Sequence, residues 1–208
     1  MLDRFMLRYE LALQEIGARI EILRREFASV HEYNPIEHVS QRRKTPESII
    51  RKAHRRGCEL SLDSIGTNIR DIAGIRVTCS FSSDIYRVAS MLVQQPDLEV
   101  TEYKDYIESP KPSGYRSLHL IIIVPVYLSD RVDRVPVELQ LRTIAMDFWA
   151  SLEHKIHYKY SGDVPRKLRD ELLEAAEDID RLDRKMERIH REMRDVKILN
   201  GDAEQDSS

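Results

Sequence analysis

A nine-residue segment from Arg134 to Arg142, RVPVELQLR, alternates apolar and polar side chains. This period of two predicts a β-strand with an apolar face for the core and a polar face opposite it. The polar face presents Glu138, Gln140 and Arg142 in a row. A carboxylate in such a row can bind a metal ion or accept a proton from a hydroxyl. The residue types alone leave two alternatives open, a solvent-facing surface and the floor of a polar substrate site.

A second candidate is the basic segment 40–58, which holds seven Lys and Arg residues and one carboxylate. The sequence predicts that this segment begins in a loop and enters a helix over 46–56, opened by Thr45 and Pro46. Lys44 and Lys52 are about two helical turns apart. Cations that reach one place suit a polyphosphate, because Arg binds pairs of oxygens and Lys supplies a compact charge. The alternative is a solvated helix face.

The loop 104–119, KDYIESPKPSGYRSLH, is the densest candidate site. Gly114 allows the backbone to approach a ligand, and Tyr115 offers a flat aromatic ring. Lys104 and Lys111 add positive charge, and two prolines stiffen the loop. An ordinary surface loop remains the alternative on composition alone.

A carboxylate outside these segments, Asp71, stands just before a predicted strand over 73–81. Together with Glu138 it could hold one Mg²⁺, because this ion keeps several waters and needs only one or two protein carboxylates. The sequence does not place the two carboxylates side by side, and a turn or capping role for Asp71 stays open.

The elements that would carry these residues form an α/β pattern. Strands are predicted over 73–81, 98–106, 118–126 and 134–142, with helices over 83–94 and 143–158. Their spacing predicts a mixed sheet with helices on one or both faces. Long amphipathic helices, over 1–30 and from Pro165 to Asn200–Gly201, carry apolar stripes spaced by three and four residues. Each stripe can pack on the chain's own core or associate with other subunits.

The composition excludes several classes of protein. The chain has 208 residues and a formal net charge of −3, which excludes a broadly basic nucleic-acid coat and argues against a DNA partner. Two distant cysteines, Cys58 and Cys79, exclude a disulfide framework and a cysteine-rich zinc site. The motifs of P-loop, Rossmann and nucleophile-elbow enzymes are absent from the sequence.

The same composition bears on location. The longest apolar run, near 120–126, is shorter than the roughly 20 residues of a membrane-spanning helix. The first ten residues mix charges into apolar positions, which is not typical of a secretory signal. Free thiols are typical of a reducing compartment. We therefore expect a cytoplasmic protein with no membrane partner.

Five short motifs follow one another along residues 35–160. They are Arg42-x-Lys44 with Ser48-Ile49 and Lys52; Asp71-Ile72-Ala73-Gly74-Ile75-Arg76-Val77; Lys104-Asp105-Tyr106-Ile107 with Pro110-Lys111 and Gly114-Tyr115-Arg116-Ser117-Leu118-His119; Glu138-Leu139-Gln140-Leu141-Arg142-Thr143; and Trp149-Ala150 with Glu153-His154 and Tyr158-Lys159. The ordered set resembles the synthetase domain of the RelA/SpoT alarmone enzymes. With a helix on each side, the architecture is similar to that of a small, stand-alone alarmone synthetase.

This resemblance implies a nucleotidyltransferase-like mixed sheet and transfer of the β,γ-pyrophosphoryl group of ATP to the 3′-hydroxyl of GTP or GDP. The products would be pppGpp or ppGpp, with AMP released. By the same resemblance, Asp71 and Glu138 hold Mg²⁺, and Glu138 activates the hydroxyl. Arg42 and Arg76 match positions that sandwich adenine.

The remaining matched positions divide between the two nucleotides. Lys44, Lys52 and Lys111 match residues that neutralise the phosphates of ATP. Tyr115 matches the residue that stacks on guanine. Lys104, His119 and Gln140 match positions that line the acceptor pocket. The family's hydrolases use a His-Asp motif that this sequence lacks, so no degrading activity is expected.

The expected division of the chain is an association helix over 1–33, a synthetase domain over 34–160, a second association helix over 161–200 and a disordered tail over 201–208. The heptad stripes predict a homo-oligomer, with a tetramer as the expected state. A guanosine nucleotide or an RNA is the expected kind of effector. The alternative function is a degenerate nucleotide sensor, or a module that binds single-stranded RNA through the basic segment and Tyr115.

Overall fold

The computed structural model describes residues 2–159 and 164–205, and it describes side chains over 2–156 and 164–196. The helices are α1 (Leu2–Val30), α2 (Pro46–Arg56), α3 (Leu62–Asn68), α4 (Ser82–Val93), α5 (Ile144–Lys159) and α6 (Arg166–Gln205). The strands are β1 (Ile36–Arg43), β2 (Ala73–Cys79), β3 (Glu99–Asp105), β4 (Leu118–Tyr127) and β5 (Val132–Thr143). The expected α/β fold, a mixed sheet flanked by helices with a long helix near each end, is confirmed.

The five strands form one sheet in the order β1-β2-β5-β4-β3. Strand β2 runs parallel to β5, and every other neighbouring pair is antiparallel. The parallel pair sits at the centre, and it brings the residues after Asp71 beside the strand that carries Glu138. Strands that are about 60 residues apart in the chain therefore form the middle of the site.

The apolar face of the sheet is the core of the molecule. Leu139 on β5 pairs with Ile75 on β2 and with Leu120 on β4, and all three are at most 1% exposed. Helices α1 and α4 contribute to the same apolar cluster. Most of the predicted stripe of α1 packs on the chain's own sheet, where Tyr9, Ile16 and other stripe residues are buried.

Strand β1 is an element that the sequence analysis missed. The segment before Lys44 was predicted as a loop, but residues 36–43 form an edge strand antiparallel to β2. Only its first residue, Ile36, is buried, so the strand lacks the alternation that reveals a half-buried strand. The short helix α3 was missed for a similar reason, since only Ile65 of it is buried.

Helix α2 follows the sequence prediction closely. The side chain of Thr45 accepts a hydrogen bond from the backbone N–H of Ser48, and Pro46 occupies the first turn. Gly57 ends the helix at φ 64°, in the left-handed conformation that glycine adopts without strain. The helix between these caps carries Lys52, whose ammonium group contacts Asp71.

Helix α6 departs from its prediction at the far end. It continues to Gln205, past Asn200–Gly201, because one glycine costs an established helix only about 1 kcal/mol. Residues 160–163, at the predicted boundary between the synthetase domain and the second association helix, and residues 206–208 of the predicted tail lie outside the described residues. The division of the chain into association helices, synthetase domain and disordered tail stays a prediction.

The two halves of α6 present different surfaces. In the first half Leu172, Ala176 and Ile179 pack against the rest of the chain. In the second half Asp183 and Glu187 are buried, and the stripe residues are exposed; these are Leu182, Met186, Met193 and Val196. The helix thus packs on its own domain and also leaves an apolar stripe uncovered.

Candidate active site

The polar face of the sheet gathers the sequence-predicted residues in two rows. One row crosses all five strands and consists of Ser40, Arg76, Gln140, His119 and Lys104, each paired with its neighbour. In the adjacent row Glu138 pairs with Gly74, and Gly74 pairs with Arg42. Paired residues point to the same face, so most of the predicted site residues converge there. The solvent-facing alternative for Glu138, Gln140 and Arg142 is wrong, since they are buried or half-buried.

A cavity of about 360 Å³ opens over the centre of this face, and Arg42, Lys44, Asp71, Arg76 and Glu138 are among its lining residues. The register of β2 and β5 explains why the two carboxylates share it, although they are far apart in sequence. Two carboxylates and several fixed cations in one cavity can bind a polyphosphate together with a cation.

Asp71 is the anchor of the basic residues. Lys44 Nζ lies 3.1 Å from Asp71 Oδ2, and Lys52 Nζ donates a short hydrogen bond to the same oxygen. Burial by itself would raise the pKa of Asp71, but the two ammonium groups outweigh burial and hold that pKa below its ordinary value. Asp71 is therefore ionised at neutral pH. Lys44 and Lys52 therefore reach one place, the carboxylate of Asp71.

The other oxygen of Asp71 meets the requirement for a metal ligand. Asp71 Oδ1 is buried and has no hydrogen-bond partner, which is costly for a carboxylate unless a ligand completes the site. Within residues 2–156 and 164–196, no cluster of three or more His, Cys, Asp or Glu side chains could hold a metal. Mg²⁺ needs only one or two protein carboxylates beside substrate phosphates, so the chemistry of Asp71 and Glu138 fits this ion.

Glu138 stands at the end of a hydrogen-bonded chain. Gln140 Nε2 donates to Glu138 Oε2 at 2.9 Å, and His119 Nδ1 lies 3.4 Å from Glu138 Oε1. On the far side of the imidazole, the hydroxyl of Tyr115 lies 2.8 Å from His119 Nε2. Burial by itself would raise the pKa of Glu138, yet His119 and Gln140 lower it overall, against the opposing charge of Asp71. Glu138 is thus ionised at neutral pH, as a carboxylate that accepts a proton must be.

A second cavity adjoins the first, and Arg42 and Arg76 line both. Arg142 and Tyr115 also line it. Arg142 is 5% exposed, donates to the hydroxyl of Tyr115 at 2.5 Å, and lies 5.0 Å from the centre of the Tyr115 ring. Asp147 Oδ1 is 3.0 Å from Arg142 and 3.1 Å from Arg76, so one carboxylate oxygen holds both guanidinium groups.

Arg142 and Asp147 lie at the candidate site, but the sequence did not predict either of them as a site residue. Arg142 was noted only as part of a polar row, and its burial could not be foreseen from that row. Asp147 lies in the first turn of α5, where a carboxylate is ordinary because it suits the helix dipole. The only available signal was its position five residues after Arg142.

Lys111 and Lys104 stand apart from the pair formed by Lys44 and Lys52. Lys111 Nζ is 4.6 Å from the ring centres of both Tyr106 and Tyr115, so the structure groups Lys111 with the tyrosine loop rather than with Lys44 and Lys52. Lys104 stands at the sheet edge, with its side chain 55% exposed and paired with Glu102 at 2.6 Å.

Residues 41–163 match the family model described as "Region found in RelA / SpoT proteins". The matched region is more than half of the chain and contains the predicted site residues. The chain therefore belongs to the RelA/SpoT family.

Within this family the chain is similar to the small synthetases. It is 52% identical over 188 residues to GTP pyrophosphokinase YwaC of Bacillus subtilis strain 168, and the match covers 90% of each chain. The crystal structure of small alarmone synthetase 2 from Bacillus subtilis matches 92% of this chain and 98% of its own, with 50% identity and a TM-score of 0.84. Small alarmone synthetase 1 bound to its product pppGpp also matches, with 39% identity, a TM-score of 0.84 and coverage of 92% and 97%.

Proposed function

We infer that this chain is a GTP or GDP pyrophosphokinase, which transfers the β,γ-pyrophosphoryl group of ATP to the 3′-hydroxyl of GTP or GDP. The observation that carries this function is the shared cavity of Asp71 and Glu138, among fixed cations, in a chain 52% identical to a GTP pyrophosphokinase. Transfer of this kind needs positioning and electrostatic stabilisation more than a covalent intermediate, and the cavity offers both.

The first cavity is proposed as the donor site. Arg42 and Arg76 line both cavities, so their guanidinium planes are available to stack on the adenine of ATP. Lys44 and Lys52 are held beside Asp71 and neutralise the phosphates. Lys111 extends this positive charge from the acceptor side, since it lies against Tyr115.

The acceptor is proposed to bind over Tyr115, whose ring stacks on guanine, while Lys104, Gln140 and His119 line the pocket. Glu138 accepts the proton of the 3′-hydroxyl. The 3′-oxygen forms its bond to the β-phosphorus, the bond from that phosphorus to the α,β-bridging oxygen breaks, and AMP leaves. His119 and Gln140 keep Glu138 ionised and oriented through the contacts described above.

Mg²⁺ is the cofactor of this proposal. Asp71, through its unpartnered oxygen, and Glu138 would hold it, and the bound ion would offset the negative charge of the phosphates. The expected location is the cytoplasm, which agrees with two free cysteines. Among the described residues, no helix is long and apolar enough to cross a membrane.

An acceptor assay tests this function directly. Purified protein with Mg²⁺, ATP and GTP or GDP is expected to yield AMP and a 3′-pyrophosphorylated guanosine nucleotide in equal amounts, resolved by anion-exchange chromatography. GMP and a reaction without acceptor serve as controls. Absence of AMP with every acceptor would instead favour the nucleotide sensor or single-stranded RNA module, which the shared position of the two carboxylates already disfavours.

The exposed stripe of α6 supports a homo-oligomer, with a tetramer as the expected state. Leu182 is 54% exposed and Met193 is 69% exposed, and large apolar side chains exposed along one helix favour an interface. Replacing both residues by Lys is expected to lower the mass measured by light scattering at micromolar concentration. A wild-type protein that is already monomeric would contradict the proposal. An effector, a guanosine nucleotide or an RNA, remains part of it.

A further inference from the structure

Helix α6 lies against the loop that carries Tyr115, although sequence analysis assigned this helix to association. Gly114 has φ 86° and sits so close to the helix that a Cβ at this position would lie 2.5 Å from Ala176 Cβ. The same atom would lie 3.2 Å from Leu173 Cδ1. A Cβ contact of 2.5 Å is essentially never found and one of 3.2 Å is tight, so the loop and the helix touch through the bare glycine backbone.

The ring of Tyr115 belongs to the same contact. It packs on an apolar cluster formed by Trp149 and Ala150 of α5 and by residues of α6, which include Ala176 and Ile179. Trp149 Nε1 donates to the backbone carbonyl of Leu172 at 3.0 Å, which ties the two helices together behind the ring. The surface behind the proposed guanine-stacking residue is therefore built in part by α6.

A charge pair crosses the same boundary. Arg116, the residue after Tyr115, has its Nε 3.5 Å from Asp180 Oδ1, and the two side chains are only 18% and 16% exposed. Arg116 also donates from Nη1 to the backbone carbonyl of Ile107 at 2.9 Å, which closes the base of the loop. Asp180 is fixed in turn by Arg184, whose Nε donates to Oδ2 at 3.0 Å.

We propose that Asp180 is a positioning residue for the acceptor site and that α6 acts, through Asp180 and Ala176, as the back wall that holds the Tyr115 loop. Both residues lie outside residues 41–163, the region that the family model matches. Asp180 does not touch the substrate; it orients Arg116 and, through Arg116, the loop. The inference rests on the proposed function only in taking Tyr115 as part of the site that binds the guanine nucleotide.

The test compares Asp180→Asn with Asp178→Asn. Asp178 is a matched control, since it lies on the same helix and pairs with Arg181 at the exposed surface, where the side chains are 58% and 72% exposed. Asp180→Asn is expected to weaken GDP binding about fivefold by calorimetry, within the range of coupling between contacting residues. Binding of a non-hydrolysable ATP analogue should stay within about twofold, and Asp178→Asn should change neither affinity.

A second measurement separates positioning from a general loss of stability. Arg116→Gln is expected to weaken GDP binding by a similar factor, and the double variant Arg116→Gln/Asp180→Asn by no more than either alone, because both act through one contact. Trp149 is the only tryptophan of the chain, so its fluorescence on GDP addition reports the cluster behind Tyr115. We expect this signal to shrink in Asp180→Asn at unchanged melting temperature.

Several outcomes would overturn the inference. Equal losses of GDP and ATP-analogue affinity would show a general structural role, additive effects in the double variant would show that the pair does not act as a unit, and an unchanged GDP affinity would remove Asp180 from the acceptor site. A wild-type protein that fails to bind GDP would also refute it. If the wild type binds GDP but forms no AMP, the proposed function fails, while the GDP affinities still decide the inference.

Discussion

Glu138→Gln is expected to lower turnover about a thousandfold and to leave the affinity for a non-hydrolysable ATP analogue within about twofold. General-base catalysis contributes roughly 10² to 10⁴ in rate, and an amide neither accepts the proton of the hydroxyl nor offers a charge to a cation. The shape of the side chain is retained, and Gln140 can still donate a hydrogen bond to the amide oxygen. The measurement is the initial rate of AMP formation, beside calorimetry of analogue binding.

Glu99→Gln is the matched control for this variant. Glu99 lies at the start of β3, where it is 60% exposed and pairs with Arg134 across the sheet edge. The initial rate of the Glu99→Gln variant should equal that of the wild type, since an exposed pair contributes little to stability. Wild-type turnover in Glu138→Gln would remove Glu138 from the mechanism, whereas a parallel loss of analogue binding would reduce its role to ground-state binding.

The site could be foreseen from the sequence where local pattern decides structure. The alternation around Glu138 predicts which side chains face away from the core, and the structure has this alternating burial from Val135 to Leu141, while Arg142 is buried against the alternation. The start of α2 could also be predicted from the sequence, because the cap at Thr45 and the proline at Pro46 are local signals of a helix start. Neither pattern contains information on pairing between strands, so the proximity of Asp71 and Glu138 follows only from the parallel register of β2 and β5.

The parts that could not be foreseen depend on tertiary packing. Strand β1 has few apolar side chains because it is an edge strand with one buried residue, so it lacks the usual signal. The stripe of α6 has a helical period, but periodicity does not say which neighbour the stripe meets. Apolar side chains of its first half pack behind Tyr115, and most apolar stripe residues of its second half are exposed, so the two interpretations of the stripe apply to different halves of one helix.

Because α6 is divided in this way, one helix takes part in both the proposed subunit association and the contact with the acceptor loop. The helix that carries the exposed stripe also carries Asp180 and Ala176 against the acceptor loop. Any association through Leu182 and Met186 would therefore act on an element in contact with the site. A change in subunit assembly would then alter acceptor binding before donor binding, since Lys44 directly follows β1 and Lys52 lies on α2.

Asp71→Asn is expected to raise the Mg²⁺ concentration needed for half-maximal rate about tenfold and to lower the rate at saturating Mg²⁺ about a hundredfold. The buried oxygen Asp71 Oδ1 has no protein partner, so its charge is available to a cation. Asp71 Oδ2 also holds Lys44 and Lys52 together, and a neutral amide offsets neither ammonium group. The substitution therefore removes a cation ligand and also releases the two lysines from their common partner.

The measurement combines a Mg²⁺ titration of the initial rate with calorimetry of Mg²⁺ binding in the presence of the ATP analogue, so that binding is read apart from turnover. Asp63→Asn, in the exposed first turn of α3, is the control and should match the wild type in both. The pKa of Asp71 is held below its ordinary value, so its charge persists at neutral pH and is lost only as pH falls through that lowered pKa. The wild type should therefore approach the behaviour of Asp71→Asn only in strong acid, and an identical Mg²⁺ requirement for the two proteins at neutral pH would exclude Asp71 as a ligand.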